Sequence, residues 1–208
     1  LPNDSLEQRR DQVAGLGFLS VGPKMLACDD PDKMRRDIVD EQLDTTGRAF
    51  MGMTLGCARC HDHKFDPVSI EDYYGLAGIF LSTKTLTKYT VVAHYHQYDL
   101  TDSEVASRWE EIAGLEKKRG DKKTPEEEKK VLGERIAELI KDLPSKHRVM
   151  GVTEDAVADT KVHLRGNYMT LGEGVPRRVL PVIAGFDQPA MPAKQSGLSL
   201  IHISEPTR

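Results

Sequence analysis

The chain has 208 residues, 38% of them hydrophobic and 30% charged, enough for one domain or two small ones around a buried core. A formal net charge of −4 leaves no cationic excess to hold nucleic acid or an anionic membrane surface. No apolar run approaches the roughly 20 residues of a membrane span, and three cysteines cannot make a disulfide scaffold.

Taken in order, Asp4 and Ser5 can cap a short amphipathic helix over Leu6–Ala14, which Gly15 ends. Gly15–Pro23 reads as an apolar, glycine-punctuated connector, a buried loop or short extended piece. Cys28 stands apart from the other cysteines and reads as a small buried thiol. Asp30 as N-cap and Pro31 at the first helical position start a long helix that runs to about Leu55. Met34, Ile38, Gln42, Ala49 and Met53 follow one of its faces. After Asp66-Pro67 breaks any helix, Ser69-Ile70-Glu71-Asp72 is a variant capping box. It opens a helix that turns Ile70, Tyr73, Tyr74, Ala77 and Leu81 inward, the two tyrosines as ordinary core. Thr90–Tyr98 has the composition of a strand.

From Asp102 to Asp142 the character changes, with 12 acidic and 10 basic residues among 41. Thr101-x-x-Glu104 is placed to cap one helix, and Thr124-Pro125-Glu126-Glu127 a second that Pro144 stops. The pair reads as a helical hairpin with a solvated, charge-balanced outer face. Beyond it, His147–Val152 and Thr160–Arg165 alternate polar and apolar residues as half-buried strands do. The expected fold is therefore mainly α with a small antiparallel β region in the C-terminal third and a charged helical hairpin. The expected divisions are a helical domain over 1–100, the hairpin insert over 101–145 and a β-rich segment over 146–197, irregular from Pro181 and leading into a further domain. Leu198–Arg208 matches one reading frame of a sequencing-library adapter and is expected to be an artefact of a truncated read.

Chemistry concentrates in Gly56-Cys57-Ala58-Arg59-Cys60-His61-Asp62-His63-Lys64-Phe65-Asp66-Pro67. Cys57-x-x-Cys60-His61 is the spacing of a c-type haem attachment site: two thiols for the two vinyl groups on one porphyrin edge, and an adjacent imidazole for the iron. A ligand for the other iron face must come from a distant segment, and Met25, His94, His96, Met150, His163 and Met169 are the candidates. Metal-bound histidines usually give their second ring N–H to a carboxylate or carbonyl, and Asp62 or Asp66 is placed to be that acceptor, with His63 beside them and Asp66 equally suited to a turn before Pro67. Cys57, Cys60, His61 and His63 also make up a Cys2His2 set for structural zinc, although four tetrahedral ligands within seven consecutive residues are crowded. A dithiol redox centre fits less well, because the expected helix precedes the motif and its dipole has the wrong sense to activate a thiol.

Gly17-Phe18-Leu19 with Gly22-Pro23-Lys24, Asp37–Gln42 with Thr45-Thr46-Gly47, and above all Leu55–Pro67 followed by Asp72-Tyr73-Tyr74 resemble the planctomycete cytochrome c-like family. Its members are secreted multidomain proteins in which a cytochrome-like domain of unknown function precedes a second uncharacterised domain. Thr160–Gly166 and Gly172–Pro176 look like the segment joining the two, so the resemblance runs over roughly Gly15–Ile183. It implies covalent haem c on Cys57 and Cys60, His61 as axial ligand, and a periplasmic or extracellular location. The expected function is electron transfer to a redox partner protein or to adjacent domains of the same polypeptide. The alternatives are a zinc-holding interaction module of a larger secreted protein, or a haem enzyme with an open iron position. No hydrolytic triad, phosphate loop or nucleotide site is in view.

Overall fold

The computed structural model of the chain describes Val13 and residues 15–24, 28–90 and 94–198. The helix expected over Leu6–Ala14 lies outside them apart from Val13, as do Val91–Ala93 of the expected strand and all of the adapter-like tail except Leu198. The chain divides into two compact units, one taking in Gln97–Val149 and the other Ala14–His96 with Met150 onward.

In the larger unit, the expected connector at Gly15–Pro23 is instead mostly helical: Gly15, expected to end a helix, is helical with Leu16, and after a turn at Gly17 comes α1 (Phe18–Val21). Tertiary contacts select that conformation: Leu19 packs on the core, and its carbonyl accepts the buried Gln42 side-chain amide at 2.9 Å. Helix α2 (Pro31–Thr46) starts as its cap residues dictate, with the Asp30 carboxylate accepting the Lys33 N–H at 2.9 Å and Pro31 at the first helical position. Met34, Ile38, Val39, Gln42 and Leu43 are its buried side.

Contrary to expectation, the helix does not run unbroken to Leu55. It loosens into a π-helical turn over Gly47–Met51 and stops at Gly52, whose φ of +66° is left-handed. The chain then doubles back so tightly that a Cβ on Gly47 would lie 2.7 Å from Leu55 Cγ. A separate 3-10 helix, Leu55–Arg59, follows. Ala49 is accordingly exposed, since the face it would have shared with Met34 and Ile38 has ended.

Helix α3 (Ile70–Leu81) carries the expected capping box, Ser69 accepting from the Asp72 N–H and the Asp72 carboxylate from the Ser69 N–H. It is buried on every side from Tyr73 to Phe80, as a helix apolar all round must be. The strands are short antiparallel ribbons rather than one sheet. β1 (Thr83–Lys84) pairs with β6 (Thr153–Glu154), β2 (Leu86–Lys88) with β3 (His94–Tyr95), and β7 (Thr160–His163) with β8 (Leu171–Val175). Val162 and Val175 of the last ribbon join Val39, Leu43, Leu55, Tyr74, Ile79 and Leu180 in the main core. A second cluster of Met34, Ile38 and Leu86 takes in the half-buried Cys28. After the strands, one helical turn, α6 (Pro181–Ala184), interrupts the segment expected to be irregular.

In the smaller unit, β4 (Gln97–Asp99) pairs with β5 (Arg148–Met150). Helices α4 (Ser103–Gly120) and α5 (Glu126–Ile140) share a cluster of Ile112, Ile136 and Leu139. Their expected threonine caps are used otherwise. Thr124 Oγ1 donates to the Lys118 carbonyl at 2.8 Å, and Thr101 Oγ1 accepts the His147 N–H at 3.0 Å.

Leu43 is fully buried where α2, the 3-10 helix and α3 meet. Leu43→Ala is expected to destabilise this unit by about 2–5 kcal/mol through lost burial and a residual cavity, as measured by chemical denaturation.

Candidate functional site

Cys57 and Cys60 lie at the 3-10 helix and its C-cap, one turn apart. Both are exposed free thiols, and His61 beside them is exposed as well. What faces inward between them is different: Ala58 is fully buried, and Arg59 reaches back to α2.

Arg59 holds the motif to the helices. Its Nη1 donates to Asp40 Oδ2 at 2.9 Å and its Nη2 to Asp37 Oδ1 at 3.3 Å, carboxylates three apart on one face of α2. The Tyr73 hydroxyl donates to the other Asp40 oxygen at 2.6 Å, and the Tyr74 hydroxyl donates to the Arg59 carbonyl at 2.9 Å. Burial, then the Asp40 charge, drives the Tyr73 phenol well above its ordinary range, while burial pushes Tyr74 up to about 12. Both tyrosines are core residues as expected, but their hydroxyls also tie down the motif. Nothing in the sequence marked Arg59; the pairing of Asp37 and Asp40 on one helical face was the available signal.

The loop after the motif is closed by His63. Its side chain is only 4% exposed, and Nδ1 accepts the backbone N–H groups of Phe65 and Asp66 at 3.1 and 2.6 Å. Nδ1 is therefore unprotonated and Nε2 carries the hydrogen, 2.9 Å from Thr54 Oγ1 and 3.3 Å from Asp66 Oδ2. Asp66 Oδ2 also accepts the Thr54 N–H at 3.2 Å, and the Asp62 carboxylate accepts the Ile70 N–H at 2.9 Å. Of the two residues expected to accept from His61, Asp62 stands beside it with its backbone carbonyl, while both carboxylates are engaged by backbone N–H groups and His63. His61 Nδ1 stands instead 2.7 Å from the Asp62 carbonyl oxygen. A carbonyl only accepts, so Nδ1 bears the proton and the Nε2 lone pair is left over.

That donor set suits a covalent porphyrin: two exposed free thiols three residues apart, and an imidazole whose Nδ1 is already oriented by a carbonyl. The zinc set is placed less favourably, because both nitrogens of His63 are engaged within the loop. Among the described residues, no group of three or more His, Cys, Asp or Glu side chains could hold a metal ion.

The candidates for a distant iron ligand are scattered. Met25 lies outside the described residues, His94 and Met169 are exposed, and His96 and Met150 are half-buried. His163 alone is buried against the motif's own support, its ring 4.8 Å from that of Tyr74. Arg36 Nη1 donates to His163 Nε2 at 3.0 Å, which fixes the proton on Nδ1. Burial first, then the Arg36 and Arg59 charges, lowers the His163 pKa to about 4.

A histidine held neutral in this way takes up a proton more readily unfolded than folded. Its contribution to stability is complete above about pH 6.5 and is lost as pH falls toward about 4. Unfolding midpoints recorded across that window are expected to fall with acid in the unmodified chain and to fall less steeply in His163→Gln.

Comparison with curated proteins and with solved structures gives no match. A family model described as PSCyt2, a protein of unknown function (DUF1549), matches residues 1–85, which takes in the whole Cys-x-x-Cys-His loop and α3. The resemblance read along Gly15–Ile183 is thus matched over its first part. Residues 1–85 are similar to a planctomycete cytochrome-like family whose function is unknown.

Proposed function

We propose that this chain is the cytochrome-like part of an exported protein, carrying haem c covalently on Cys57 and Cys60 with His61 Nε2 as an axial ligand, and that it transfers electrons. The observation that supports this most is the state of His61. Its Nδ1–H is committed to the Asp62 carbonyl, which leaves the Nε2 lone pair beside two exposed free thiols. Haem bound there would supply a one-electron iron couple.

The chain's own residues would hold and tune it. Thioethers at Cys57 and Cys60 would pin one porphyrin edge to the 3-10 helix, which Arg59 keeps against α2 through Asp37 and Asp40. The cavity behind the motif, between Arg36, Arg59, Tyr74 and His163, measures about 10 Å³. It has space for about one water and none for a macrocycle. A porphyrin joined to the exposed Cys57 and Cys60 would sit outside that cavity, within reach of a redox partner or of neighbouring domains of the same polypeptide. Export follows from the chemistry of attachment, which belongs with c-type cytochromes outside the cytoplasm.

Expression in a bacterial host that matures c-type cytochromes tests this reading. The expected product is red, with haem retained after acid–acetone extraction and a mass raised by one haem. The Cys57→Ala/Cys60→Ala variant is expected to be colourless. A colourless unmodified protein would overturn the proposal, and stoichiometric zinc in it would favour the structural-metal alternative.

A further inference from the structure

The turn that ends the first strand of the β7–β8 ribbon lies directly on the Cys60 sulfur. Gly166 has φ +74°, and a Cβ built on it would come within 2.5 Å of Cys60 Sγ, closer than two such atoms ever approach. Its neighbour Arg165 is the one described non-glycine residue with positive φ, at +54°. Two successive positive φ values with the Asn167 N–H bonded to the Leu164 carbonyl at 3.1 Å are the pattern of a type I′ turn. Leu164 N–H to Thr170 O at 2.9 Å and Thr170 N–H to Asn167 O at 3.0 Å lock it further. An L-residue held left-handed at this spot carries backbone strain, and such strain persists only where the surroundings over-determine it.

Neither the Cys-x-x-Cys-His spacing nor the matched stretch 1–85 includes this turn. Folding nevertheless delivers it to the second thiol, and the same Cβ would lie 3.8 Å from the Arg59 stem. We propose that the Leu164–Asn167 turn is a wall of the attachment site, and that Gly166 is a positioning residue for the Cys60 thioether. This rests on the haem reading above. The absence of a side chain at Gly166 lets Cys60 Sγ stand where it does. A side chain there would turn the sulfur away by rotation about the Cys60 Cα–Cβ bond and misplace the thiol, and most residues would add the strain of a left-handed backbone.

Attachment adds S–H across a vinyl C=C and expels nothing, so adducts with one and two thioethers have equal mass. The count of alkylatable thiols separates them. Gly166→Asn is the informative variant, because asparagine tolerates positive φ and isolates the effect of bulk. Gly174→Ala, in the same ribbon with open space around its Cβ, is the matched control. In the maturing host, the unmodified chain and Gly174→Ala are expected to leave only Cys28 alkylatable after unfolding. Gly166→Asn is expected to leave Cys28 and Cys60, with the α-band of its reduced pyridine adduct shifted to longer wavelength by the surviving vinyl group. Full double attachment in Gly166→Asn would overturn the inference and leave the haem reading intact. An unmodified chain without covalent haem would overturn both. If Gly166→Asn does not fold, hydrogen exchange on the unmodified chain decides: haem attachment is expected to slow exchange at the Asn167 and Thr170 amides, and unchanged rates there would overturn the wall.

Discussion

The Cys57–Cys60 segment is tied to the helices through Arg59. A guanidinium between the carboxylates of Asp37 and Asp40 is a charged contact withdrawn partly from water, with side chains roughly a fifth to a third exposed. Desolvation works against the Arg59 charge, but the Asp40 carboxylate, the Tyr73 hydroxyl and the hydrogen bonds to both acids outweigh it, and its pKa is raised. Breaking such a cluster by removing one member leaves the others unpaired, which costs more than the pair gains by forming. The Arg59 carbonyl meanwhile receives the Tyr74 hydroxyl, so backbone and side chain of one residue are anchored on two helices. Cys57, Cys60 and His61 are exposed, and each is within two residues of that anchor.

The loop beyond the motif shows how closely placed polar residues divide their work. His61 and His63 differ by two positions and have opposite tautomers imposed on them. His63 accepts backbone N–H groups and becomes an internal staple; His61 donates to a carbonyl and keeps a lone pair outward. Asp66 completes the staple, and Asp62 caps the start of α3 with its carboxylate while orienting His61 with its carbonyl. One loop thus satisfies its own backbone and still presents one imidazole nitrogen, as a surface site needs if it is to hold shape without a bound group.

The ribbon β7–β8 extends the site beyond the N-terminal stretch. His163 lies behind the motif beneath Tyr74, and three residues later the chain crosses the Cys60 sulfur at Gly166. Core packing through Val162 and Val175 fixes where that ribbon sits. A residue more than a hundred positions from the cysteines therefore contributes to their surroundings through the same hydrophobic burial that stabilises the unit.

Local chemistry was readable in the sequence wherever one residue's partners lie within a turn or two. The Asp30-Pro31 start, the Ser69–Asp72 capping box and the Cys57-x-x-Cys60-His61 spacing are of this kind, because caps and short motifs close on themselves. The mainly helical character with short antiparallel strands was legible for the same reason. The end of α2 was not, because the chain leaves it only through the close approach of Gly47 to Leu55 and Met53. Nor was the helical turn at Phe18–Val21, the choice of the Asp62 carbonyl over its carboxylate, or the roles of Arg59 and Gly166. Each of these depends on a partner brought near by folding, and burial of apolar surface, which sets those encounters, is insensitive to distance along the chain.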